Sequence, residues 1–112
     1  IDEILASKEM YIARFYMEKE KWIPSINRFK KVVRDYDKSI YVEEALFRLV
    51  EIHYRIGLED EAKKYAHLLG YNYQSSQWYE NSYRIFNQKF VKKRAKKEDK
   101  SKSILEKIKS LL

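Results

Sequence analysis

The sequence predicts an all-α fold built from antiparallel helix pairs, and three observations predict it. Apolar residues recur every three or four positions through most of the chain, as in WIPSINRFKKVVRDY, which places them on one face of a helix. The chain has two glycines and one proline, too few for the many tight turns of a β-sandwich or barrel. Finally, the first helix pair can be laid over the second at a shift of about 37 residues, as expected of a repeated helix-turn-helix unit.

The first segment, ILASKEMYIARFYMEK, is apolar over a wide arc that includes Leu5, Met10, Ile12, Ala13, Phe15, Tyr16 and Met17. Such width implies contact on two sides. The second carries Trp22, Ile26, Phe29, Val33 and Tyr36 in one stripe, with Pro24 in its first turn, where a missing N–H costs nothing. On the wheel Asn27, Lys31 and Arg34 lie opposite this stripe, and Arg28 sits on its flank with Asp35 two turns on. Val42, Ala45, Leu46, Leu49, Ile52 or His53, and Ile56 define a third helix that stops at Gly57. Leu58, Ala62, Tyr65 or Ala66, and Leu69 define a fourth, for which Gly70 is the expected left-handed C-terminal cap. Tyr71 and Tyr73 then fall in a turn. Ser76 is the expected N-cap of a fifth helix bearing Tyr79, Tyr83, Phe86 and Phe90. Ser103 and Glu106 form a capping-box signature for a short terminal helix with Ile104, Leu105, Ile108, Leu111 and Leu112.

In the repeat register Ser25 falls on Ala62, with Ala13, Tyr16, Trp22 and Phe29 in the first pair and Val50, His53 or Tyr54, Gly57, Ala62 and Ala66 in the second. A small residue that lets two helices approach, followed by an aromatic that fills the gap to the next unit, is the tetratricopeptide pattern. The usual period is about 34, and the extra residues fall in KSIYV. The expected fold class is therefore a tetratricopeptide-repeat α-solenoid. The expected domains are repeats over 1–88, with helix pairs near 3–36 and 41–69 and a further helix from about 77, then a basic extension over 89–112 with a short amphipathic helix.

Charge separates the same two parts. Residues 89–112 hold ten Lys and Arg against three acids, which leaves fourteen of each sign in the rest, so the basic character belongs to the tail. Lys92, Lys93, Arg94, Lys96 and Lys97 are candidates for an anionic surface, where each basic residue contributes about 1 kcal/mol when close. The same run also reads as a solvated helix end or a nucleic-acid patch. The charge-balanced repeats and the lack of aromatics beyond Phe90 count against nucleic acid, since no base-stacking platform is interleaved.

No cysteine is present, which excludes a disulfide framework and Cys-based zinc sites. His53 and His67 lack metal-ligand spacing and read as ordinary helix residues. The acidic groups Glu43-Glu44 and Glu59-Asp60-Glu61 sit at predicted helix starts, where the macrodipole favours negative charge. With no phosphate loop, nucleophile elbow or Cys/His arrangement, neither catalysis nor a cofactor or metal is expected. No apolar run approaches the roughly 18 residues of a membrane span. The chain opens at Ile1 within a helix already under way and is read as a mature fragment with more sequence upstream.

The segments EMYIARFYMEKEKWIPSINRFKKVVRDY, VEEALFRLVEIHYRIGLEDEAKKYAHLLGYNY and SSQWYENSY together resemble the C-terminal repeats of the BamD family, over roughly Glu9 to Tyr83. The SINRF run and the LGYNY-to-WY joint are details that a generic repeat has no reason to share. The resemblance implies a non-catalytic scaffold on the periplasmic face of the outer membrane, tethered by an N-terminal lipid upstream of Ile1. It also implies docking on the POTRA domains of BamA and on accessory lipoproteins of the barrel-assembly (BAM) complex, while N-terminal repeats handle unfolded outer-membrane proteins. The family's outward Asn-Arg pair falls on Asn27 and Arg28, with Arg28 facing BamA and Lys31 beside it. The family's usual Tyr-Pro after each second helix is here Tyr36-Asp37 and Tyr73-Gln74. Repeat proteins bind on their inner surface, which in this register is lined by Ser7, Met10, Arg14 and Met17, then Glu44, Phe47, Glu51 and Tyr54, a stripe that reads equally as one buried against a neighbouring repeat. A tetratricopeptide adaptor of another complex is the alternative reading, and a basic-tailed nucleic-acid-associated repeat protein is a third.

Overall fold

A computed structural model describes residues 1–73 and 76–87. Helices joined by short turns make up the described residues, with no strand among them. The order is α1 (Asp2–Glu18), α2 (Trp22–Asp35), α3 (Val42–Arg55) and α4 (Glu59–Asn72), and a helix α5 begins at residue 77. Helix α2 packs on α1 and on α3, and α4 packs on α3. This is the tetratricopeptide-like arrangement of successive antiparallel pairs. By their contacts the residues divide into Ile1–Ser82 and Tyr83–Leu112, and of the second unit only the helical stretch 83–87 is described. The basic extension with its lysine run, and the terminal helix expected near Ser103, lie outside the described residues.

The 37-residue period holds at the level of single hydrogen bonds. At the end of α1 the Glu20 N–H donates to the Met17 carbonyl at 3.0 Å and the Lys21 N–H to Tyr16 at 2.9 Å. At the end of α3 the Gly57 N–H donates to Tyr54 at 3.2 Å and the Leu58 N–H to His53 at 2.8 Å. Each pair of bonds closes a Schellman motif, with its left-handed residue at Glu20 (φ 58°) or Gly57 (φ 90°). Glycine adopts that backbone without penalty, whereas a residue with a Cβ is strained there. Relief of about 1–2 kcal/mol of left-handed strain, set against about 0.4–1 kcal/mol of added unfolded-state freedom, predicts that Glu20→Gly stabilises the fold by roughly 0.5–1 kcal/mol. Gly57→Ala should destabilise by about 1 kcal/mol through the backbone alone, since a Cβ at Gly57 meets nothing within 4 Å. Paired urea melts check both signs.

Helices α2 and α4 also end alike, at Tyr36 (φ −128°, ψ 41°) and Tyr73 (φ −138°, ψ 46°). After them Ser39 and Ser76 donate their N–H groups to the Tyr36 and Tyr73 carbonyls, both at 3.0 Å. Ser76 also caps α5 as expected, accepting the Tyr79 N–H on its Oγ at 3.0 Å. Gly70 is not the cap of α4. It lies inside that helix, which runs on through Tyr71 to Asn72, so Tyr71 is helical rather than in the turn. What requires glycine at position 70 is the next helix, since an added Cβ would stand 2.5 Å from the Tyr79 ring.

The core cluster contains Met10, Ala13, Ile26, Phe29, Val32, Ala45, Leu49 and Ile52, with Trp22, Val33, Tyr36, Ile56 and Tyr65 packed against it. Ser25 and Ala62, the paired small residues, are both fully buried. The Ser25 hydroxyl donates to the Ala13 carbonyl at 2.8 Å, which ties α2 to α1 at the point of closest approach. His53 is buried, its Nδ1 2.7 Å from the Leu49 carbonyl and its ring against Tyr65. That environment is a packed helix position, with the proton on Nδ1 because a carbonyl only accepts.

Candidate functional site

Charged residues gather on two sides of the helix pairs. On the first, Glu9 of α1 reaches toward α2. Its Oε2 accepts from Arg28 Nη1 at 2.9 Å and its Oε1 lies 3.2 Å from Lys31 Nζ. Burial pushes the Glu9 carboxyl up, but the hydrogen bonds and charges of Arg28 and Lys31 outweigh it and hold the group below its ordinary value. The carboxylate is only 12% exposed, whereas the two cations are about 40% exposed, so the pair of positive heads faces outward. Arg28 spends one nitrogen on Glu9. A guanidinium carries five N–H donors in a planar fork, and the rest of this one meets no carboxylate among the described residues. Asn27 stands exposed beside it. Asp35, placed two turns from Arg28 by the helical wheel, pairs with Arg34 instead, at 2.9 and 3.2 Å.

The second side is the inner one, where α1 faces α3. Arg14 makes a two-pronged bond to Glu44 (Nε 2.9 Å, Nη2 2.6 Å), the planar match that makes an Arg–carboxylate pair directional. Arg48 bridges Glu44 and Glu51 and lies over the rings of Phe47 and Trp78. Beside this network is a cleft of about 440 Å³ lined by Arg14, Met17, Glu18, Glu20, Arg48 and Arg55. Arg55 is held over the Trp22 ring at 5.6 Å, a cation–π geometry. Tyr54 and Glu51 lie on the same helix, both half-buried.

The sequence-derived candidates therefore fall into two patches, Arg28 with Lys31 and Asn27 on one side, and Arg14 with Met17, Glu51 and Tyr54 on the other. Two inner-surface expectations are corrected. Met10 is fully buried in the core between the helices, and Phe47 is buried with its ring tilted against Trp78, centroids 5.3 Å apart, so neither is offered to a partner. Glu9, Arg48 and Arg55 were missed as site residues, and Glu44 was read chiefly as a helix-start acid. Glu9 reaches Arg28 across 19 residues and Glu44 reaches Arg14 across 30, separations that no single-helix spacing rule exposes. Lys92, Lys93, Arg94, Lys96 and Lys97 lie outside the described residues. Among those described, no group of three or more His, Cys, Asp or Glu could hold a metal, and no helix is long and apolar enough to cross a membrane.

Fold and surface together define a helical-repeat protein of the tetratricopeptide class. A family model described as outer membrane lipoprotein, YfiO, matches residues 1–68, and the chain belongs to that family, the BamD family. Relatives called outer membrane protein assembly factor BamD are 48% identical over 85 residues in Rickettsia prowazekii, covering 76% of this chain and 34% of the relative. In Caulobacter vibrioides the identity is 41% over 87 residues, covering 78% and 28%. In Neisseria gonorrhoeae it is 38% over 53 residues, covering 47% and 20%. The chain thus spans about a third or less of the length of these relatives.

Proposed function

We propose that this chain is part of a non-catalytic scaffold on the periplasmic face of the outer membrane, acting in assembly of outer-membrane proteins and docking through its α1–α2 side on the POTRA domains of BamA. Family membership and the assembly-factor name of its relatives support the role. The observation that carries the docking is Arg28, a guanidinium anchored through one nitrogen to Glu9 while its remaining donors face outward. Such a fork is preorganised for a partner carboxylate, because Glu9 restricts its rotamer before binding. Lys31 and Asn27 extend the contact, and the inner side with Arg14, Met17, Glu51 and Tyr54 is assigned to accessory lipoproteins of the same complex.

The test is affinity for a purified POTRA fragment of the cognate BamA. Arg28→Glu should weaken binding by about tenfold or more, as expected when one member of a desolvated charge pair is lost. Arg34→Glu, a reversal at an exposed site that already has Asp35 as neighbour, should leave affinity within about twofold, since rim charges contribute little. Undiminished binding by a folded Arg28→Glu protein overturns the assignment.

A further inference from the structure

The repeat register shows where the second helix pair departs from the first. On α2, Ile26, Phe29 and Val33 are large apolar side chains of the core that α2 shares with α1 and α3. The positions 37 residues later on α4 are Lys63, Ala66 and Gly70. Three knobs have been replaced by a lysine, a methyl group and a hydrogen, so α4 cannot fill the space beside α5 as α2 fills the space beside α3. Tyr79 enters part of that space over Gly70. What remains is a slot of about 780 Å³ with mostly apolar walls, lined by Ala66, Leu68, Gly70, Tyr71 and Tyr79. Tyr71 is 90% exposed and Leu68 42%.

The rim of the slot carries sign. Lys63, Lys64 and His67 belong to the lining, and Asp60 is its single acid. Neither lysine has a carboxylate within ion-pair distance among the described residues, in contrast to Arg14, Arg28, Lys31 and Arg48, each of which has at least one. We propose that the slot between α4 and α5 is a second docking site, which takes an apolar side chain from an acidic amphipathic helix of a partner protein. The apolar residue occupies the volume that Phe29 fills in the first pair, and carboxylates flanking it meet Lys63 and Lys64. This is the helix-in-groove mode of recognition with electrostatic selection at the rim. It uses none of the residues assigned to the α1–α2 face, so the two sites stand or fall separately.

The probe is a fluorescein-labelled helical peptide of about 16 residues, long enough for partial helicity, with Leu and Phe four positions apart and glutamates on both flanks. A second peptide has every glutamate replaced by lysine. Fluorescence anisotropy with the intact chain should show saturable binding of the acidic peptide that weakens as salt rises, and at least about tenfold weaker binding of the basic one. Ala66→Phe, which restores the side chain of the first repeat, should reduce affinity about tenfold or more by filling the slot. The double variant Lys63→Glu with Lys64→Glu changes only exposed side chains and keeps the test open if Ala66→Phe fails to fold. It should abolish the preference between the peptides. Undiminished acidic-peptide binding in the double variant or in a folded Ala66→Phe protein overturns the proposal, as does equal binding of the basic peptide. It is likewise overturned if sedimentation reveals a dimer of this chain that Ala66→Phe dissociates, which would make the occupant a second copy.

Discussion

Phe29→Ala is expected to cost about 3–5 kcal/mol of folding stability, the range for removing a large buried aromatic whose neighbours cannot collapse into the void. Phe29 is fully buried and belongs to a cluster that draws Met10 and Ala13 from α1 and Ala45, Leu49 and Ile52 from α3. It is the residue of α2 at which the first helix pair meets the second. In a repeat array each unit is stabilised chiefly by its neighbours, so loss of this side chain weakens the interface as well as the pair. Against a total stability of about 5–15 kcal/mol, the change should lower the melting midpoint by on the order of 15 °C or more. Thermal unfolding followed by circular dichroism measures it. A loss below about 1 kcal/mol would mean that the core relaxes around the cavity, and that the joint does not depend on this ring.

Much of this architecture was legible in the sequence because its causes are local. The stripe through Trp22, Ile26, Phe29, Val33 and Tyr36 is set by helical geometry, and the core uses each of these residues. Gly57 marked the end of α3 because a left-handed backbone selects glycine. Local cues were silent at one place and misleading at another. Glu20 occupies the equivalent left-handed position without being glycine, so no composition cue announced that turn. Gly70 is glycine for the sake of Tyr79 rather than of the backbone, and reading it as a cap ended α4 too early.

The candidate site was less legible, for a reason of distance along the chain. Asn27, Arg28 and Lys31 could be placed on a helix face by angle alone. Glu9, the shared anchor of Arg28 and Lys31, belongs to another helix, and a contact between helices depends on packing that periodicity does not encode. The inner network of Arg14, Glu44, Arg48 and Glu51 has the same character, since its two-pronged bond joins α1 to α3. Arg48 to Glu44 and Arg48 to Glu51 are the exceptions, four- and three-residue spacings on one helix that the sequence does display. The slot beside α4 required both kinds of information. The register sets Lys63, Ala66 and Gly70 against larger residues, and the three-dimensional structure shows that a slot of about 780 Å³ stays open beside Tyr79.

Ser25→Leu is expected to cost about 3 kcal/mol, combining roughly 1–3 kcal/mol of overpacking with about 1 kcal/mol for a lost hydrogen bond. Ser25 is fully buried and donates to the Ala13 carbonyl at 2.8 Å, a separation that leaves no room between α1 and α2 for three further carbon atoms. The carbonyl itself is not orphaned by the change, since it also serves the helical ladder of α1. For that reason Ser25→Ala, which reproduces the residue at the matching position Ala62 of the second pair, should cost only about 1 kcal/mol or less. Comparing the two by urea denaturation separates steric demand from hydrogen bonding. If Ser25→Ala proves as damaging as Ser25→Leu, the hydroxyl and not the close approach holds the pair together. If Ser25→Leu is tolerated within about 1 kcal/mol, the small residue is not what sets the spacing between these helices, and the repeat's defining contact must lie elsewhere along α1 and α2.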